Sequence, residues 1–349
     1  MAARPGPLNL LTDVAGLRVG SAADTRAATG CTVVVCDTPC VAAVDVRGGA
    51  PGTRETDLLD PGRLVEGIDA VCLSGGSVHG LAAADGVVAA LAEQGRGFAF
   101  GPGTPTAPIV PAAILFDLAG DGDKAWGLDP PYRRLGLQAA RAASAGAFAL
   151  GSEGAGYGAR AGRLQGGLGS ASLLGEDGIT VAALAAVNSM GSVVVPGARA
   201  FWAWPDEIAG EFGGLRPDPH AARDPDDWGL AKLAPGLREN TTLAVVATDA
   251  ALTPSQAQRL AVMAQDGLAR AVRPAHTPFD GDVVFALSTA RRPSPQPWAR
   301  SLAVLGERAA ACLARAVARG VHEARSRPGG PPAWRDLDAA GRLPRPQAG

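Results

Sequence analysis

Thr241 stands where a long aperiodic segment ends and an apolar strand begins, in RENTTLAVVATDA (238–250). Threonines at such a junction have two readings. They are β-branched and suit a strand. A threonine hydroxyl is also a nucleophile once a base takes its proton. A threonine at a chain N-terminus carries its own base, an α-amine with a pKa of about 7.7–8.0 that works near neutral pH. That amine exists only after the bond before Thr241 is cut. A self-cutting chain would send the hydroxyl to the preceding carbonyl, shift the acyl group from N to O, and hydrolyse the ester. Residues 205–240, rich in Pro, Asp, Gly and Arg, would be the linker such a reaction needs. From the residues alone both readings stand.

Other groupings carry weaker chemistry. Asp280 and Asp282 in PFDGDVV would face the same way on extended chain, or punctuate an Asp-Gly turn. SGGSVHG (74–80) is not the G-x-S-x-G of a nucleophile elbow, because His79 stands two residues after Ser77. It reads as a helix N-terminus with inward amides, holding an anion or capped by Ser74 or Ser77. GSEGAGYGARAG (151–162) lacks the G-x-G-x-x-G spacing, and no acidic residue follows a second strand at the right distance. A turn where backbones approach closely is expected there, with no nicotinamide or flavin. The five cysteines include no C-x-x-C pair and the four histidines are scattered. Buried free thiols and no metal are therefore expected.

These residues must be positioned by mixed elements. Strands are read at 31–36 and 41–46 (as a hairpin), 70–74, 107–118, 164–174, 179–195, 242–250 and 282–289. Helices are read at 77–95, 132–144, 253–272 and 298–324, the third opened by a Thr253 cap and Pro254. Adjacent strand candidates among helices favour a layered α/β or α+β fold over an open dinucleotide-binding sheet. Residues 1–326 read as one domain, and 327–349, with PGGPP and PRPQ, as a tail that packs no core. The net charge of −2 with no basic stripe gives no support for a nucleic-acid partner. No apolar run reaches the roughly 18 residues of a membrane span, and no signal core opens the chain, so a soluble cytoplasmic protein is expected.

Several motifs occur in one order: LSGGSVHGLAAADGV, PIVPAAILFDL, GAGYGARAGRLQGGLGSAS, AAVNSMGSV, NTTLAVVATDA, MAQDGLARAV and HTPFDGDVVFALST. Together they resemble the P1 (S58-type, DmpA- and NylC-like) peptidase family of N-terminal nucleophile hydrolases. The nylon-oligomer hydrolase branch is the nearest, because the nucleophile position holds Thr and the acidic pair is Asp280 and Asp282. The resemblance implies an α+β fold, a four-layer αββα sandwich. It implies cleavage between Asn240 and Thr241 into an α chain (1–240) and a β chain (241–349). It implies Thr241 as nucleophile, Asp280 and Asp282 orienting it, and Asn188 donating to the oxyanion together with Gln165.

Gln165 stands where the family often has lysine; it can donate hydrogen bonds but carries no charge. His79 and Ala83 replace an expected Phe and Asp, and His79 reads either as a residue lining the site or as a packed helix residue, the second being favoured. The implied protein needs no cofactor or metal. It cleaves small peptide or amide substrates and assembles as a homo-oligomer of processed αβ units. Two rivals share the sequence features: an acyltransferase of the ornithine acetyltransferase type, and a catalytically degenerate binding homologue motivated by Gln165.

Overall fold

The computed structural model describes residues 3–221, 224–232, 240–294 and 296–344. The strands are β1 (Leu17–Asp24), β2 (Thr29–Val46), β3 (Thr53–Arg54), β4 (Ile68–Ser74), β5 (Ala112–Ile114), β6 (Arg160–Ala161), β7 (Leu164–Gln165), β8 (Gly167–Leu174), β9 (Thr180–Asn188), β10 (Thr241–Ala250) and β11 (Val283–Arg292). The α-helices are α1 (Ala83–Glu93), α2 (Tyr132–Arg141), α3 (Pro254–Ala271) and α4 (Trp298–Glu323).

One long strand builds both sheets. The first half of β2 pairs with β1 and β4, and its second half pairs with β11. The register shifts between Val35 and Cys40, where Asp37, Thr38 and Pro39 are exposed. The expected hairpin at 31–36 and 41–46 is thus a single strand that changes sheets. The Thr-Pro pair marks its bend rather than a turn, because a proline without an N–H is tolerated where pairing is already interrupted. On one side β4 continues to β5 and β3; on the other, β11 continues through β10 and β9 to β8.

Alternating side chains sort into three cores. Val33, Val35, Ala70 and Cys72 face Val87, Leu91 and Leu135 of α1 and α2. Val34, Val71 and Leu73, one residue out of phase, face Leu184, Val245 and Phe285 of the other sheet. Val181, Val246 and Val284 face Leu260, Ala264, Leu313 and Val317 of α3 and α4. Each sheet is buried on both faces, so its strands read as continuous apolar runs. The result is the expected α+β, four-layer αββα sandwich.

Local signals explain the helix ends. Thr253 Oγ1 accepts the Gln256 N–H, and Gln256 Oε1 accepts the Thr253 N–H, a reciprocal cap before Pro254. Close packing of α4 on β8 needs glycine: a Cβ at Gly169 would lie 1.9 Å from Ala316 O. Three expectations change. Of residues 107–118 only β5 is strand. Ser77 makes no capping bond and has φ +51°. The segment expected to be an unpacked tail docks as far as it is described: Trp334 and Leu337 are buried, and the Trp334 ring stacks on Phe201 at 5.3 Å. Tryptophan in a Pro- and Gly-rich setting supplies apolar area that such composition alone does not suggest. Among the described residues no helix is long and apolar enough to cross a membrane.

Candidate active site

The chemistry gathers at one end of the sheet formed by β8 to β11. Thr241 opens β10, and in the antiparallel register it faces Asn188, the last residue of β9. Asp280 and Asp282 lie just before β11, which runs parallel to β10. Asn240 bridges to Asp280 in parallel fashion. Thr241, Asn188, Asn240, Asp280 and Asp282 are all buried. The stretch just past β2 supports this corner from below: Ala50 N–H donates to Asp280 O at 2.8 Å, and Arg47 N–H to Asp282 O at 3.1 Å.

The bond before Thr241 is held tightly. Thr241 Oγ1 donates to Asn240 O at 2.5 Å, and Gly281 N–H donates to the same oxygen at 2.8 Å. A carbonyl oxygen with two donors is polarised, and a backbone N–H is a fixed donor for any negative charge that grows there.

The two aspartates have different partners. Asp280 accepts from Thr277 Oγ1 (2.6 Å), Thr277 N–H (2.9 Å) and Met190 N–H (3.2 Å). Asp282 Oδ1 accepts the Thr242 N–H at 2.7 Å, and its Oδ2 meets His276 Nδ1 at 2.8 Å. Burial, then the neighbouring Asp282 carboxylate, pushes the Asp280 carboxyl above its ordinary value, against the pull of its donors. His276 holds a left-handed φ of +56°, a costly conformation outside glycine that here seats its ring against Asp282.

Asn188 and Gln165 part company. Asn188 Oδ1 accepts the Arg160 N–H at 2.8 Å, and its Nδ2 donates to Phe116 O at 3.1 Å. The amide thus has a partner at both its oxygen and its nitrogen. Gln165 is fully buried, but its Nε2 donates to Ala159 O at 2.8 Å. Its amide braces the 157–160 turn, which in turn presents Arg160 N–H to Asn188.

The glycine turn at 154–156 is a place of close backbone approach, as its sequence suggests: a Cβ at Gly156 would lie 2.1 Å from Leu168 N. The Gly75–Gly76 turn needs no external anion, because Asp117 accepts the Gly76 N–H at 2.8 Å and the Thr29 hydroxyl at 2.6 Å. His79 is exposed, edge-on to Trp126 at 6.0 Å, rather than packed in the helix or placed at this site. The five cysteines are buried and free.

Sequence reading missed Lys232, His276, Thr277 and Gly281. Lys232 Nζ donates to Asn240 Oδ1 at 2.7 Å. Its one signal is composition, since it is one of two lysines in a chain with 32 basic residues. Lys232 and Asn188 share a cavity of about 230 Å³ with Arg160, Arg163, Asp117 and Pro331. Of the linker expected at 205–240, residues 222–223 and 233–239 lie outside the described residues.

With this geometry in hand, comparison with known proteins is informative. The profile of peptidase family S58 matches residues 9–331. The chain is 44% identical to an uncharacterized aminopeptidase of Mycobacterium bovis, covering 95% of this chain and 98% of the relative. It is 30% identical to a 6-aminohexanoate-oligomer endohydrolase of Kocuria sp., covering 81% of this chain and 76% of the relative. The fold resembles a Burkholderia sp. beta-aminopeptidase, with TM-score 0.69, 23% identity, and coverage of 95% of this chain and 92% of that one. It also resembles the L-aminopeptidase D-Ala-esterase/amidase of Ochrobactrum anthropi, described as a variant of the Ntn hydrolase fold. There the TM-score is 0.65 and the identity 20%, over 93% of this chain and 88% of that one. The profile match along most of the chain and the fold agree: this protein belongs to peptidase family S58.

Proposed function

We propose that this member of a peptidase family is an amide-bond hydrolase that makes its own nucleophile, cutting itself between Asn240 and Thr241. The carrying observation is the contact of Thr241 Oγ1 with Asn240 O at 2.5 Å, on a carbonyl already bonded to Gly281 N–H. In the first step Oγ adds to the Asn240 carbonyl carbon and its proton passes to a base. The C–N bond then breaks, leaving an ester on Oγ and a free amine on Thr241. Water hydrolyses the ester to the Asn240 carboxylate and restores the hydroxyl. In the mature site the Thr241 amine takes the hydroxyl proton as a substrate carbonyl is attacked, then gives it to the leaving amine. Asp280 and Asp282 hold the strand ends around the nucleophile, and Asn188 donates to the oxyanion.

The names of the relatives support small peptide-like amides as substrates. Gln165 contributes no charge, but Lys232 places an ammonium beside the cut, which favours an active enzyme over a degenerate binding protein. The test is hydrolysis of aminoacyl p-nitroanilides. Release of nitroaniline by the wild type, lost in Thr241→Ala, is expected. Turnover by Thr241→Ala equal to wild type would refute the assignment. Product formed with an added amine in place of water would mark an acyltransferase.

A further inference from the structure

The uncut chain already holds an acyl group at the nucleophile, its own Asn240. The same hydroxyl attacks Asn240 and, later, a substrate. The substrate's acyl carbonyl must therefore reach the same Oγ, beside the place Asn240 C=O occupies, once cleavage frees Asn240 as the new end of the α chain. What surrounds the Asn240 side chain is a description of the acyl pocket.

That side chain is fully buried, and its Oδ1 accepts from Lys232 Nζ at 2.7 Å. Lys232 is itself anchored, its backbone N–H donating at 3.0 Å to the carbonyl of Met190, the residue whose own N–H donates to Asp280. The Asn240 Nδ2 has no hydrogen-bond partner among the described residues. Among the described residues the pocket thus offers this position a donor and no acceptor, so a carboxylate matches it better than a carboxamide. The adjoining cavity adds Arg160 and Arg163 to Lys232. Its carboxylate, Asp117, is held by Thr29 and Gly76.

We propose that the mature enzyme selects amides whose acyl group carries a second carboxyl oxygen in the position of Asn240 Oδ1, bound by Lys232. Counting from the attacked carbonyl through Cα and Cβ to Cγ gives a 1,4-dicarbonyl unit. The α-aspartyl, β-aspartyl and succinyl amides share that chemistry, with asparaginyl amides behind them. This inference rests on the self-cleaving reading above.

The experiment compares kcat/KM of the processed wild-type protein on p-nitroanilides of these four acyl groups and of alanine and leucine. The carboxylate-bearing anilides are expected to lead alanyl and leucyl by about tenfold or more, the worth of one charged hydrogen bond. The order among α-aspartyl, β-aspartyl and succinyl tells which linkage and whether an α-amine is needed. Leucyl or alanyl anilide hydrolysed as well as the aspartyl pair would overturn the proposal.

In processed Lys232→Met the preference should collapse; a preference kept intact would also overturn it. Should that variant remain uncut, competition on the wild type decides. Succinate should inhibit hydrolysis of the alanyl anilide competitively, and butyrate at the same concentration should not. Equal inhibition by both would count against Lys232. A wild-type chain found in one piece would refute the self-cleaving reading, whereas a cut chain with a flat substrate panel would refute only the acyl preference.

Discussion

A methyl group at Gly281 would sit 2.7 Å from Thr241 Oγ1 and 2.6 Å from Ala50 O. Backbone on one side and the Thr241 hydroxyl on the other leave it nowhere to go. Gly281→Ala is therefore expected to leave the chain uncut, seen as one band under denaturing conditions. Normal cutting would show that Thr241 Oγ is not confined as described.

Asp280 gives a second prediction. Its carboxyl is raised above the ordinary value by burial and by Asp282, so the folded state holds its proton more tightly than the unfolded state. The stability this group contributes is fully present below the unfolded value of about 3.9 and is lost as pH rises through the folded one. Both proteins must stay uncut for a fair comparison. Thr241→Ala should therefore exceed Thr241→Ala/Asp280→Asn in urea stability by more at pH 4 than at pH 7; an advantage growing with pH would contradict the raised value.

At this scale Thr241 was legible as a polar residue opening an apolar strand, and Asp280 and Asp282 as a pair just before one. Asn188 came only with the resemblance, because inside an apolar run it reads equally as a buried amide. Lys232 and His276 were not legible, since they sit in aperiodic segments whose path no periodicity reveals. Gln165 was legible as part of the neighbourhood but not in its direction: its amide braces a turn.

Among the elements, α4 carries the least expected interaction. Arg315 is fully buried, with Nε 2.5 Å from Glu211 and Nη2 2.9 Å from Asn9 Oδ1, tying the helix to the N-terminal segment and the 205–214 loop. Removing one partner of a buried ion pair leaves the other charge poorly compensated, typically at a cost of about 3–5 kcal/mol. Arg315→Met should lower urea stability by roughly that amount, and Arg315→Met/Glu211→Gln should recover part of it. A single variant as stable as wild type would mean Arg319, 3.5 Å from Glu211, compensates fully. Helix periodicity found α4 and a cap found the start of α3. Period-2 alternation could not separate a hairpin from one long bent strand, because β2 is apolar on both sides of its bend and the choice depends on β11, far along the chain.

For the molecule as a whole, the two sheets meet through β2, and the site lies where one sheet's strand ends converge. That convergence joins residues from positions 50 to 282 and follows from topology, which strand patterns leave open. The order of motifs supplied what pattern could not. The C-terminal segment shows the reverse failing: composition argued for a tail, but one buried tryptophan docks it over the last helix. Its Pro332 O also accepts the Gln165 N–H at 2.8 Å, which ties this segment to β7.

The most direct measurement is the intact mass of the purified protein under denaturing conditions. Cleavage at Asn240–Thr241 predicts two chains of roughly 24 and 11 kDa, scaled by length from the 35.0 kDa whole, the smaller beginning with Thr241. A single species of 35.0 kDa would contradict the central claim, because Thr241 would then lack the amine on which its chemistry depends.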